Sequence, residues 1–97
     1  MPDYIMLCRF TEKGVANIKE SPKRIKNVKE IAESAGGKVK AMYAVLGRFD
    51  TVVIFDLPDD ETMARISLQI SSLGNVHIES LRAFNEDQFI GIINKIS

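Results

Sequence analysis

The chain has 97 residues, 45% of them hydrophobic, so it is expected to build one domain whose core buries only roughly 60–65% of the unfolded surface. Thirteen basic and thirteen acidic residues cancel to a formal charge of zero, which argues against a general binder of nucleic acid or of an anionic membrane. The same composition excludes low complexity, collagen-like repeats and disorder.

The first strand is predicted over Tyr4–Phe10, apolar on both faces. Its lone cysteine, Cys8, has no partner for a disulfide within the chain and is expected to be a buried, inert thiol. Thr11 is a plausible N-cap for a short helix, with Glu12 in its first turn and Val15 and Ile18 on one edge. Ser21-Pro22 restarts the helix, because serine suits the cap and proline the first helical position. Ile25, Val28, Ile31, Ala32 and Ala35 then recur at helical spacing, and Gly36-Gly37 ends the run. Arg24 is an unfavourable partner for the dipole in that helix's first turn, which points to a specific acceptor, a carboxylate or a bound anion.

A second strand is predicted over Lys38–Leu46, with Lys38 and Lys40 on one side and Val39 and Ala41 on the other. Gly47-Arg48-Phe49-Asp50 is long enough only for a hairpin, and Thr51–Leu57 forms a β-branched third strand. Pro58-Asp59-Asp60 breaks it and caps a helix carrying Met63, Ile66, Ile70 and Leu73, closed by Gly74. The fourth strand, Val76–Phe84, bears His77, Glu79 and Arg82, and Arg82 is expected to pair with an acidic neighbour near Tyr4. Asn85 and Gln88 have capping-box spacing for a last helix, Glu86–Lys95, striped with Phe89, Ile92, Ile93 and Ile96.

The order β-α-β-β-α-β plus a terminal helix is the α+β, ferredoxin-like pattern, whose four-stranded antiparallel sheet has the order 4-1-3-2. Both main helices cover one face of such a sheet. The central strands are nevertheless apolar on both faces: Tyr4, Met6, Cys8 and Phe10 oppose Ile5 and Leu7 on the first, and Val53, Phe55 and Leu57 oppose Val52 and Ile54 on the third. A solvated face would alternate with polar residues. A homodimer or higher oligomer, sheet against sheet, is therefore expected, with exchange of terminal elements as one way to build it. The competing arrangement folds the C-terminal helix back over the open face.

Tyr4-Ile5-x-Leu7, Thr11-x-x-Gly14, Ser21-Pro22-x-Arg24, Gly36-Gly37-x-Val39, Tyr43, Gly47-x-x-Asp50, Pro58-Asp59-Asp60, Gly74-Asn75-Val76, Leu81-Arg82-Ala83-Phe84 and Phe89 follow one another in the order of the GYD-domain family. The chain resembles that family over nearly its whole length. Two positions depart from it: Phe49 stands where tyrosine is usual, and His77 follows Gly-Asn-Val where a basic residue is usual. The resemblance implies a fold of the dimeric α/β-barrel kind and a function that is itself unassigned.

The topology brings Arg9, Thr11, Tyr43, Arg48, Asp50, Asn75 and His77 toward one end of the sheet, where a small-metabolite site is expected. Each also has an ordinary role open to it: Asp50 in hairpin hydrogen bonds, Arg48 in solvent, His77 on an edge strand. His77 is the one side chain suited to proton transfer at neutral pH. With a single histidine, no zinc cluster is expected. Neither GxGxxG, GxxxxGK(S/T) nor GxSxG occurs, so no cofactor and no catalytic residue are assigned. Met1–Phe10 is too short an apolar run for a signal peptide, and no stretch approaches the ~20 residues of a membrane span, so the cytoplasm is expected. The favoured function is a small-ligand-binding or regulatory assembly module. The alternative is a cofactor-independent enzyme, monooxygenase- or isomerase-like, using Asn75, His77 and Tyr43. An RNA-recognition module, with the same topology, is disfavoured because the third strand reads TVVIFDL and lacks the basic-aromatic motif.

Overall fold

The first strand pairs on both sides, and that fixes the sheet. In a computed structural model that describes residues 1–97, β1 (Asp3–Phe10) lies antiparallel between β3 (Thr51–Asp56) and β4 (Val76–Ala83), and β2 (Lys38–Ala44) flanks β3. The order β2-β3-β1-β4 is the expected 4-1-3-2 order read from the other edge. The helices are α1 (Glu12–Ala16), α2 (Ser21–Ser34), α3 (Asp60–Ser71) and α4 (Glu86–Ile93), and one 3-10 turn, Ile18–Glu20, joins α1 to α2.

Residues directly opposite across a ladder share a face. Met6 pairs with Val53 and Ser80, and Tyr4 with Phe55 and Arg82, so this set lies under α2 and α3. Tyr4, Met6, Cys8, Val53 and Phe55 are buried there, with Ala32 of α2 and Met63, Ile66 and Ile70 of α3. The other face carries Ile5 opposite Ile54 and Leu81, and Leu7 opposite Val52 and Glu79. Ile5, Leu7, Val52 and Ile54 are half-buried by their neighbours within the sheet.

β2 departs from its expected alternation. A bulge between Val39 and Ala41 places one extra residue, Lys40, in the strand. Val39 opposes Phe55 and Met42 opposes Val53 on the helix face, while Ala41 and Tyr43 oppose Ile54 and Val52 on the open one. Val39 and Ala41 therefore face opposite ways, because a bulge reverses the side of every residue beyond it. Lys40 Nζ reaches Asp3 Oδ1 at 3.0 Å.

The helix ends follow local chemistry. Thr11 caps α1 through Gly14 N, and Asp59 caps α3. The Thr62 hydroxyl and N–H both donate to Asp59 Oδ1, at 2.7 and 2.8 Å, and hold its carboxyl below the usual range. α2 begins one residue earlier than expected, with Glu20 at the cap and Pro22 in the first turn, and its end passes through left-handed Gly36. Asn85 and Gln88 form the full capping box of α4.

α4 packs on neither face of the sheet. Every residue from Phe84 to Ser97 is exposed, Phe89 at 56% and Ile96 at 73%, and the chain is elongated, 52 × 31 × 19 Å. The competing arrangement, in which this helix folds back over the open face, is thus overturned. Only two residues, Phe84 and the cap Asn85, lie between the end of β4 and the first helical residue, Glu86, and they leave no loop to reverse the chain.

Candidate functional site

α1 is short, and its position is set by the turn after α3. Thr11 N donates to Asn75 O at 3.1 Å, Thr11 Oγ1 to Gly74 O at 2.6 Å, and Lys13 Nζ to Leu73 O at 2.9 Å. Gly14 is needed for this approach, since a Cβ there would lie 2.1 Å from Asn75 O. Gly74 takes φ +81°, the left-handed turn that presents these carbonyls.

α2 leaves this staple and descends toward the sheet. Its C-terminal half is close: Ala32 is wholly buried, and the adjoining Gly37 runs so near β3 that a Cβ would lie 2.1 Å from Asp56 O. Its N-terminal half stands off. Between that half and β1, β2 and β3 lies a cavity of about 490 Å³, with 14 hydrophobic residues among the 21 that line it. Met6, Met42 and Val53 form its floor, and Ile25 and Val28 its roof. At about 30 Å³ per liquid water, the volume admits roughly 16 heavy atoms.

The polar side chains along this wall are few and mostly occupied. Arg24 Nη1 donates to Asn17 O at 3.0 Å, and Nη2 donates to Gly14 O at 3.5 Å and Ser21 Oγ at 3.1 Å. The acceptors that make an arginine tolerable in the first turn of α2 are thus carbonyls at the end of α1, together with a hydroxyl. Asp50 Oδ2 accepts from Phe10 N at 2.8 Å, while Asp50 N donates to Cys8 O at 2.8 Å, so the residue ties the hairpin to β1. Burial pushes the Cys8 thiol up, against a smaller lowering by a hydrogen bond with Thr51, so it stays protonated and unreactive.

Of the seven residues expected at one end of the sheet, Asp50 and Asn75 line the cavity. Thr11 belongs to the α1 staple beside it. Arg9 and His77 face each other across β1 and β4 on the open face, Tyr43 stands on that face of β2, and Arg48 lies at the hairpin tip with its guanidinium 5.6 Å from the Phe49 ring centre. No imidazole lines the cavity, and no three metal-ligating side chains gather anywhere in the fold. Ser21 and Thr51 line it without having been singled out, whereas Arg24, expected to have a carboxylate or a bound anion as its acceptor, lines it with two carbonyls and a hydroxyl as acceptors. Strand parity carries the signal for Thr51, which opposes Cys8.

At the far end of the same face, the polar groups pair among themselves. Tyr4 Oη donates to Asp60 Oδ1 at 2.5 Å, and Arg82 lies 4.0 Å from that oxygen and 4.4 Å from the Phe84 ring centre. Burial, reinforced by Asp60, pushes the Tyr4 phenol up to about 12.

The chain is similar to known proteins in sequence and in fold. A protein from Thermus thermophilus named "glutamine synthetase and cystathionine beta-lyase binding protein" is 38% identical over 84 residues, covering 86% of this chain and 88% of its own. The crystal structure of TTHA0845 from the same organism superposes with a TM-score of 0.56 at 26% identity, over 88% of this chain and 95% of that one. A feast or famine regulatory protein from M. tuberculosis, complexed with L-methionine, gives a TM-score of 0.66 at 15% identity over 88% of this chain and 51% of its own, a likeness of fold alone. The GYD domain model matches residues 4–93, spanning both the sheet and the α1 staple. The chain belongs to the GYD domain family.

Proposed function

We propose that the chain is a cytoplasmic, homodimeric module that binds a small, largely apolar molecule between α2 and the sheet, and that it serves regulation or assembly. The observation that carries this reading is the cavity of about 490 Å³. An apolar pocket of that size beside so small a core leaves hydrophobic surface uncovered, and a ligand covers it. Ligand sites elsewhere fall in the same size range with the same few polar groups. The T. thermophilus relative is named for binding two enzymes, which fits a module that acts by docking.

Two unpartnered apolar surfaces on one chain support the homodimer: the open face with Ile5, Leu7, Val52 and Ile54, and α4 with Phe89, Ile92 and Ile93. A second copy covers both at once by a two-fold axis, and zero formal charge leaves no net repulsion between copies. The cytoplasmic assignment rests on the single buried, unpaired thiol.

Calorimetric titration with the neutral probe 1-octanol tests the site. Saturable binding to the native chain, abolished by Val28→Phe, is expected. Failure of octanol to bind, or binding unaffected by that filling substitution, overturns the ligand site. Sedimentation equilibrium tests the assembly: twice the 10.8 kDa chain mass is expected, reduced to one chain by Ile54→Glu on the open face. A native mass of one chain at micromolar concentration removes the dimer.

A further inference from the structure

We infer that the ligand is a monocarboxylate with an apolar body, its carboxylate held by Arg24; this rests on the ligand-binding reading of the cavity. Arg24 is half-buried in the cavity wall. Its three hydrogen bonds go to two carbonyls and a hydroxyl, all neutral, and neither of the protein's two ion pairs involves it. A cation withdrawn from water without a countercharge is unfavourable. The other charged residues that line the cavity are Lys29, which is exposed, and Asp50, whose Oδ2 is engaged by Phe10 N at 2.8 Å. Two cations and one carboxylate leave the walls one positive charge in excess.

The rest of the wall sets the remainder of the ligand. It is hydrophobic from Met6 and Val53 across to Ile25 and Val28, so it accepts a chain or ring and offers no second charged anchor opposite Arg24. A guanidinium has five N–H donors. Three are used within the protein, both protons of Nη2 among them, which leaves Nε–H and one Nη1–H; a forked pair draws on Nη2, so a carboxylate takes a single charge-assisted hydrogen bond here, from Nε–H. A dianion such as a phosphate monoester would meet a single half-buried cation with Asp50 in the same cavity, and is the poorer match. The bonds from Arg24 to Asn17, Gly14 and Ser21 also hold the guanidinium in place before any ligand arrives, which limits the side-chain entropy lost on binding.

The inference is tested on the full chain at pH 7 by calorimetric titration with octanoate, 1-octanol and octylamine. Octanoate is expected to bind about tenfold tighter than 1-octanol, the scale of one charge-assisted hydrogen bond, and octylamine more weakly than either. In Arg24→Gln, the preference for octanoate over octanol is lost, the two binding with equal affinity whatever the change in octanol binding itself. Nitrogen NMR of the Arg24 Nε–H supplies a reading on the native chain, independent of how the variant folds: it shifts with octanoate and not with octanol. Octanol binding as tightly as octanoate overturns the carboxylate assignment and leaves the ligand site standing. So does an octanoate preference that survives Arg24→Gln, or an Nε–H that octanoate does not move. Absence of binding by both overturns the cavity as a ligand site as well.

Discussion

α2 and α3 lie on the same face of the same sheet, and both are amphipathic, yet they pack differently. α3 buries Thr62, Met63, Ile66 and Ile70. α2, two residues longer, buries only Ala32. The difference lies in what holds each helix. α3 enters from the capped Asp59 turn and packs on β4. α2 is pinned at its two ends: near the sheet by Ala32 and Gly37, and away from it by the Arg24 bonds to the end of α1, itself stapled to the Asn75 turn. A helix is stiff over 14 residues, so ends held at different heights make a wedge. The cavity is that wedge, and amphipathicity alone does not set the distance at which a helix packs.

The largest expected effect comes from emptying the solid side. Ile66→Ala should lower unfolding free energy by about 2–5 kcal/mol, since a buried aliphatic side chain is replaced by a void. Val28→Ala, on the half-exposed wall of an existing void, should cost about 1 kcal/mol or less. Urea denaturation of both variants measures the pair, and equal losses would abolish the distinction between the two sides. A smaller effect of opposite sign is expected from filling the hollow side. Val28→Phe should leave stability unchanged or raise it by about 1 kcal/mol, where overpacking in a full core would cost about 1–3 kcal/mol.

The smallest effect separates the two polar clusters. The Tyr4 phenol, raised from 10.0 to about 12, favours its neutral form in the folded chain. Its contribution to stability is therefore complete below pH 10 and declines as the pH climbs from 10 through about 12. Tyr4→Phe should flatten that alkaline decline in a pH series of thermal melts, leaving the neutral-pH profile of the octanoate site unchanged. A decline of unaltered slope would remove Tyr4 as its cause.

Much of the fold was legible because it is written in local signals. Thr11, Asp59 and the Asn85–Gln88 pair act as caps, Gly36 and Gly74 turn the chain at positive φ, and apolar β1 and β3 are central. The bulge at Lys40 was not, because one inserted residue leaves a short alternating string looking regular. The site was legible in part. Asp50 and Asn75 stood out as turn residues at the correct end of the sheet, and both line the cavity. Arg9, Tyr43 and His77 share that end but face the other way. Arg24 betrayed itself by its poor fit to the helix dipole, whereas its acceptors on α1 lie seven and ten residues back and depend on a staple between distant segments.

The amino-acid order by itself therefore determined the elements, their sequence and the antiparallel sheet, since caps, glycine turns and hydrophobic period act over a few residues. It also determined that both faces of the central strands are apolar. Tertiary structure alone decided that α4 stands clear of its own sheet and that α2 stands off at one end. The first follows from the short connection that carries the chain from β4 straight into α4, and the second from hydrogen bonds between Thr11 and Asn75, and between Arg24 and Gly14, made between separate segments of the chain.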